Sequence, residues 1–198
     1  MVAVGATHRH QLQLRRLTAL AIERLNHAVL FVSDLQRSLA FYQDVLGFKA
    51  LPGAFPGAAF LQAPDSANDH DLGLFQSPNP GSGVTPGNVG LYHLAWEVDT
   101  LTGLAEMRGR LLAAGALTGA SNHCSTKALY GCDPDGIEFE VCWLVPDALA
   151  IDELVPAQPP TRPLDIGAEI ARYGAETRGG PRTDRHLWDR VYAARARS

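Results

Sequence analysis

Two histidines and a pair of glutamates stand where they could do metal chemistry, in a chain that repeats itself. NHAVLFV and YHLAWEV each carry a histidine at the second position, His27 and His93, and each leads directly into a helical pattern. Far downstream, YGCDPDGIEFEVCW (130 to 143) holds Glu138 and Glu140 two apart in a strand-like run. Strand side chains alternate, so both carboxylates share a face with Cys142 and point away from the apolar row Ile137, Phe139, Val141 and Trp143. A carboxylate in an apolar setting costs roughly several kcal/mol unless a cation, donors or water meet it. By the same alternation His27 shares a face with Val29 and Phe31, and His93 with Ala95 and Glu97. If the repeats face each other, two first-strand histidines and a last-strand carboxylate converge. Two neutral imidazoles and one carboxylate with open positions form the facial set that suits non-haem Fe(II) or a related divalent ion.

The elements that must carry these residues are legible. LNHAVLFVS (25 to 33) predicts a strand, and Asp34 can cap a helix over LQRSLAFYQDVL, with Leu35, Leu39, Tyr42 and Leu46 at helical spacing and Gly47 as its stop. Short strands broken by Pro and Gly turns follow, through DHDLGLFQS, and PNPGSGVTPGNVG (78 to 90) is a loop by composition. The pattern then begins again. GLYHLAWEVD (90 to 99) predicts a strand, and TLTGLAEMRGRLLAAG (100 to 115) a helix with Leu101, Leu104, Met107, Leu111 and Leu112 on one side and Gly115 as its stop. Short strands close the second unit with IEFEVCWLV. Two copies of one β, α, three-β unit explain the repetition.

The rest of the chain bounds the partners. It has 198 residues, 46% hydrophobic and 19% charged, a globular composition with a net charge of −4. Its basic residues lie mostly in the terminal segments, which argues against a nucleic-acid face and for a small-molecule partner. Three cysteines, Cys124, Cys132 and Cys142, lack CxxC spacing and fit a reducing cytoplasm. No run is long enough to span a bilayer, and the start lacks a secretion-signal pattern. Residues 1 to 22 form an N-terminal segment with a short helix through QLQLRRLTALA. Residues 147 to 198 form a proline-stiffened linker and a helical tail, whose Trp188, Val191 and Tyr192 supply an apolar stripe for the body or a second subunit.

NHAVLFVSDLQRSLAFYQDVLGF, YHLAWEV and LYGCDPDGIEFEV together resemble the vicinal oxygen chelate superfamily, which includes glyoxalase I, the extradiol catechol dioxygenases and antibiotic-resistance proteins of the same fold. The resemblance covers about residues 23 to 146. It implies an α+β fold in which two paired βαβββ modules, about 23 to 77 and 90 to 146, form a cupped, incomplete barrel around a divalent metal. By position it implies His27, His93 and Glu140 as ligands, with Glu138 a neighbour. Within the superfamily the extradiol dioxygenases are the most similar: NDHDLGLF implies His70 as an acid/base, SNHCSTKALY implies His123, and Tyr130 falls where a tyrosine bonds the substrate oxygen. These enzymes use Fe(II), with Mn(II), Zn(II) or Ni(II) as other choices, to cleave an aromatic substrate with O2, and homodimers are common for the fold. A second, metal-free copy of the paired module is usual in them and absent from this sequence. A glyoxalase-type isomerase or lyase would want a fourth ligand from the last strand of the first unit, where only Asp71 or His70 is available. A non-enzymatic antibiotic-binding protein would need no ligand set.

Overall fold

The computed structural model describes residues 22, 24–53, 55–81, 83–85, 87–154, 161–180 and 182–195. The expected N-terminal helix falls outside them. In the first module, β1 (Ala28–Val32) is followed by α1 (Leu35–Asp44), β2 (Lys49–Ala50), β3 (Ala58–Gln62) and β4 (Leu72–Gln76). The second repeats the order with β5 (Leu94–Glu97), α2 (Leu101–Ala113), β6 (Leu117–Asn122), β7 (Thr126–Cys132) and β8 (Glu138–Leu144). Two mixed sheets result, β1-β4-β3-β2 and β5-β8-β7-β6-β9, and they do not close into a barrel. In each, the first strand runs parallel to the last strand of its module, Ala28 beside Leu72 and Ala95 beside Glu140.

Both helices start and stop where the sequence says. Asp34 accepts from the Arg37 amide at 3.0 Å, Thr100 accepts from Gly103 at 3.1 Å, and Gly47 and Gly115 take left-handed φ of 83° and 65° just beyond the ends. Leu101, Leu104 and Leu111 are buried, but Leu112 is 52% exposed, because one further residue turns it about 100° off the apolar stripe. On β8, Phe139, Val141 and Trp143 form the buried row. Cys142 on the opposite face is buried too, and burial, with the Glu140 carboxylate beside it, pushes its thiol up to about 12.

The DPDG turn does more than reverse the chain. Asp133 accepts from the amides of Asp135 and Ile137, both at 2.9 Å, and from the Tyr42 hydroxyl at 3.2 Å. Asp135 bonds across to the first module instead of to its own backbone, accepting from the Ser33 amide at 2.8 Å and the Arg37 guanidinium at 2.6 Å. Phe41 against Phe139 and Phe48 against Trp96 complete this junction. Gly131, on β7, is a position where only glycine fits. A Cβ there would sit 2.5 Å from Phe139 Cζ and 2.9 Å from the Ala116 carbonyl oxygen. Gly131→Ala should therefore destabilise by about 1–3 kcal/mol, read as a lower urea midpoint with an unchanged slope.

The tail packs on the body. Arg162 and Pro163, read as linker, form a fifth strand, β9 (Arg162–Pro163), antiparallel to β6, and an edge position tolerates the missing proline N–H. A 3-10 segment (Asp147–Leu154) precedes it, and α3 (Ile166–Tyr173) and α4 (Arg185–Arg195) follow. The Trp143 indole donates to the Thr177 carbonyl at 3.0 Å, and the Trp188 indole donates to Asp147 at 2.5 Å. Among the described residues no helix is long and apolar enough to cross a membrane.

Candidate metal and substrate site

His27 and His93 each lie one residue before the first strand of their module, so the repeat places them equivalently. Their surroundings differ. His93 Nε2 lies 3.2 Å from Glu140 Oε2, and His93 Nδ1 is buried with no hydrogen-bond partner. On β7, Tyr130 stands directly opposite Glu140, and its hydroxyl lies 2.8 Å from His123 Nε2. Burial, and then the adjacent Glu140, pushes the Tyr130 phenol up to about 12, so it stays protonated at neutral pH and donates to that carboxylate. His93, Glu140, Tyr130 and His123 are thus brought together on one face of the second sheet.

His27 and His70 form a separate pair on the first module. Their rings lie 4.3 Å apart, and His70 packs edge-on against Phe60 at 5.0 Å. His27 Nδ1 contacts the Asn26 side-chain oxygen at 2.7 Å. His70 Nδ1 lies 3.2 Å from Asp69. Among the described residues no group of three or more His, Cys, Asp or Glu side chains is close enough to hold a metal. His27 is therefore not in one sphere with His93 and Glu140. Those two do fit a divalent ion on their own geometry. Donors about 2.1 Å from an ion at right angles stand roughly 3 Å apart, close to the 3.2 Å observed.

Three features of this region were not read from the sequence. An aromatic surface of Phe31, Phe55, Phe60 and Phe75 extends from His70, with ring centroids 5.6 to 6.5 Å apart, and Phe31 is 67% exposed. The clue was available, because strand alternation puts Phe31 on the His27 face. Thr161 reaches His123 from the tail, for which the sequence carried no signal. Asp71, the carboxylate that an isomerase reading would draw on, is already committed. It accepts from the Ala63 amide at 2.8 Å and from Ser66 and Asn68, each at 2.7 Å. A cavity of about 1080 Å³ lies elsewhere, lined by Phe48, Trp96, Met107 and Arg110, and none of the six candidate site residues borders it.

A model of the Glyoxalase/Bleomycin resistance protein/Dioxygenase superfamily matches residues 24–141. Catechol-2,3-dioxygenase of Bacillus subtilis is 33% identical over 119 residues, 59% of this chain and 40% of that enzyme. A virulence protein of Salmonella typhimurium is 30% identical over 128 residues, 61% of this chain and 83% of that protein. Among solved structures, the glyoxylase/bleomycin resistance protein/dioxygenase domain from Frankia sp. is 26% identical with a TM-score of 0.54, covering 62% of this chain and 92% of that one. The match thus spans less than half of the Bacillus dioxygenase, and residues beyond 141 lie outside the family model.

Proposed function

This chain belongs to the glyoxalase/bleomycin resistance protein/dioxygenase superfamily, and on that premise we propose that it is a metal-dependent extradiol-type dioxygenase opening a catecholic ring with O2. The observation that carries the reading is the contact chain His93, Glu140, Tyr130, His123 on one sheet face. In this reading His93 and Glu140 would hold Fe(II), and His27, which stands apart from them in this structure, would be a third ligand drawn in from the first module when the ion binds. A ferrous ion held there would act as a Lewis acid and would let electron density pass from a bound catecholate to O2. Tyr130, kept protonated, donates to a substrate oxygen, and His123 orients that phenol. His70 is the base that accepts a catechol proton and later returns it, work suited to an imidazole near neutrality. The aromatic surface beside His70 matches a flat, apolar ring. Commitment of Asp71 to its own loop weighs against the four-ligand isomerase.

Anaerobic Fe(II) reconstitution followed by a catechol panel at an oxygen electrode tests this. The expected result is oxygen uptake matched by catechol loss, with His70→Ala slowed about 10²-fold or more while iron is retained. Full turnover by His70→Ala would remove its assigned role. Iron-loaded protein silent on every catechol would overturn the dioxygenase reading and favour isomerase chemistry.

A further inference from the structure

The family match stops at residue 141, yet the tail reaches the site. β9 pairs with β6 through Ser121 opposite Pro163 and Asn122 opposite Arg162, and the residue just before β9 is Thr161. Its hydroxyl lies 3.2 Å from His123 Nδ1, on the opposite side of the ring from the 2.8 Å contact between Nε2 and Tyr130. We propose that Thr161 is a positioning residue, through which the C-terminal segment sets the ring orientation and proton placement of His123 and so the direction of the Tyr130 hydroxyl.

The His123 amide donates to the Thr126 carbonyl at 2.8 Å, which fixes the backbone of the β6–β7 turn but does not itself orient the imidazole. One polar contact leaves a ring free to swing about it, whereas contacts on both ring nitrogens define its plane. The direction of the chain follows from donor counting. With the Tyr130 hydroxyl donating to Glu140, the phenol oxygen accepts from His123 Nε2–H, and Nδ1 accepts from the Thr161 hydroxyl. With the carboxylate otherwise engaged, the phenol donates to Nε2 and Nδ1–H donates to Thr161. Only a group that both donates and accepts satisfies Nδ1 in the two arrangements, and a hydroxyl does. The segment is held in place by a buried lock next to it, in which Asn122 donates to Glu169 of α3 at 2.6 Å.

The test compares Thr161→Val, isosteric without the hydroxyl, with Thr161→Ser. Thr161 is exposed, so neither change strips the core, and melting temperatures should stay within about 2 °C of the parent. Nitrogen-15 spectra of the full-length protein, with the His123 signals assigned through His123→Gln, are expected to show altered ring nitrogen shifts in Thr161→Val and parent-like shifts in Thr161→Ser. Identical spectra for Thr161→Val and the parent would overturn the proposal, as would equal changes in both variants. The kinetic arm rests on the dioxygenase reading. There kcat should fall about tenfold in Thr161→Val with KM little changed, and return in Thr161→Ser. An unchanged kcat would count against the proposal. The spectra decide it even if no catechol is turned over, so the two readings fail separately.

Discussion

Glu169→Ala is expected to lower the unfolding free energy by about 3–5 kcal/mol and the melting temperature by roughly 10 °C or more. The reason is Lys127, which is fully buried at the start of β7. Its ammonium meets Asn122 Oδ1 at 3.1 Å, the Cys124 carbonyl, and Glu169 Oε2 at 3.3 Å. It also lies 5.3 Å from the centre of the Tyr173 ring. Removing the carboxylate takes the counter-charge at 3.3 Å from a buried cation, and also strips the Asn122 amide of its partner. Much of the desolvation cost of the ammonium then loses its compensation. Replacing both partners, as Lys127→Met with Glu169→Leu, should recover most of the loss, because an apolar pair of similar volume does not need the compensation. Equilibrium urea unfolding of the two single variants and the double variant measures the coupling. A loss below about 1 kcal/mol in Glu169→Ala would show that water reaches Lys127 when the carboxylate is gone.

That pair also marks the boundary of what sequence reasoning could reach. Periodicity located β1, α1, β5, α2 and β8, because each buries one face and the apolar residues recur at 2 or 3.6. It left Glu138 and Glu140 equivalent, and only the resemblance to the superfamily, counted from the DPDG turn, singled out Glu140 as the partner of the histidines. The same alternation puts Lys127 on the face of Leu129, which marks it as buried, but its counter-charge lies on α3 in a segment with no repeat to align. Asn122 and Glu169 are 47 residues apart, and only tertiary packing joins them. β9 was read as linker for a similar reason, since two residues in an edge strand carry no period. The bonds of Asp135 to Ser33 and Arg37 lay equally out of reach, because they depend on how the two modules meet. For the site, the repeat identified equivalent positions for His27 and His93. It could not fix their separation, because that depends on the angle between two sheets, and no residue pattern within either sheet records it.

Glu140→Ala should abolish iron binding and reduce ring-cleaving turnover by more than the 10–100-fold typical of losing an outer-shell partner, while Glu138→Ala keeps both. The two glutamates share a strand face, and only their neighbours separate them. Glu140 lies 3.2 Å from His93 and opposite Tyr130, whereas Glu138 lies opposite Cys132, whose thiol is raised by burial and by that carboxylate. Glu140→Ala removes one of the two donors proposed to hold an ion and takes the acceptor from Tyr130. Glu138→Ala only relieves repulsion of the Cys132 thiolate. Iron content after anaerobic reconstitution and gel filtration gives the comparison directly. Metal retained in Glu140→Ala and lost in Glu138→Ala would shift the ligand register by two residues. Tyr130 would then no longer adjoin the ion, and the substrate-side assignments would fall with it. If the register holds, His27→Ala becomes the informative next variant. A third ligand supplied from the other module should weaken iron binding when removed and leave the contact between His93 and Glu140 intact.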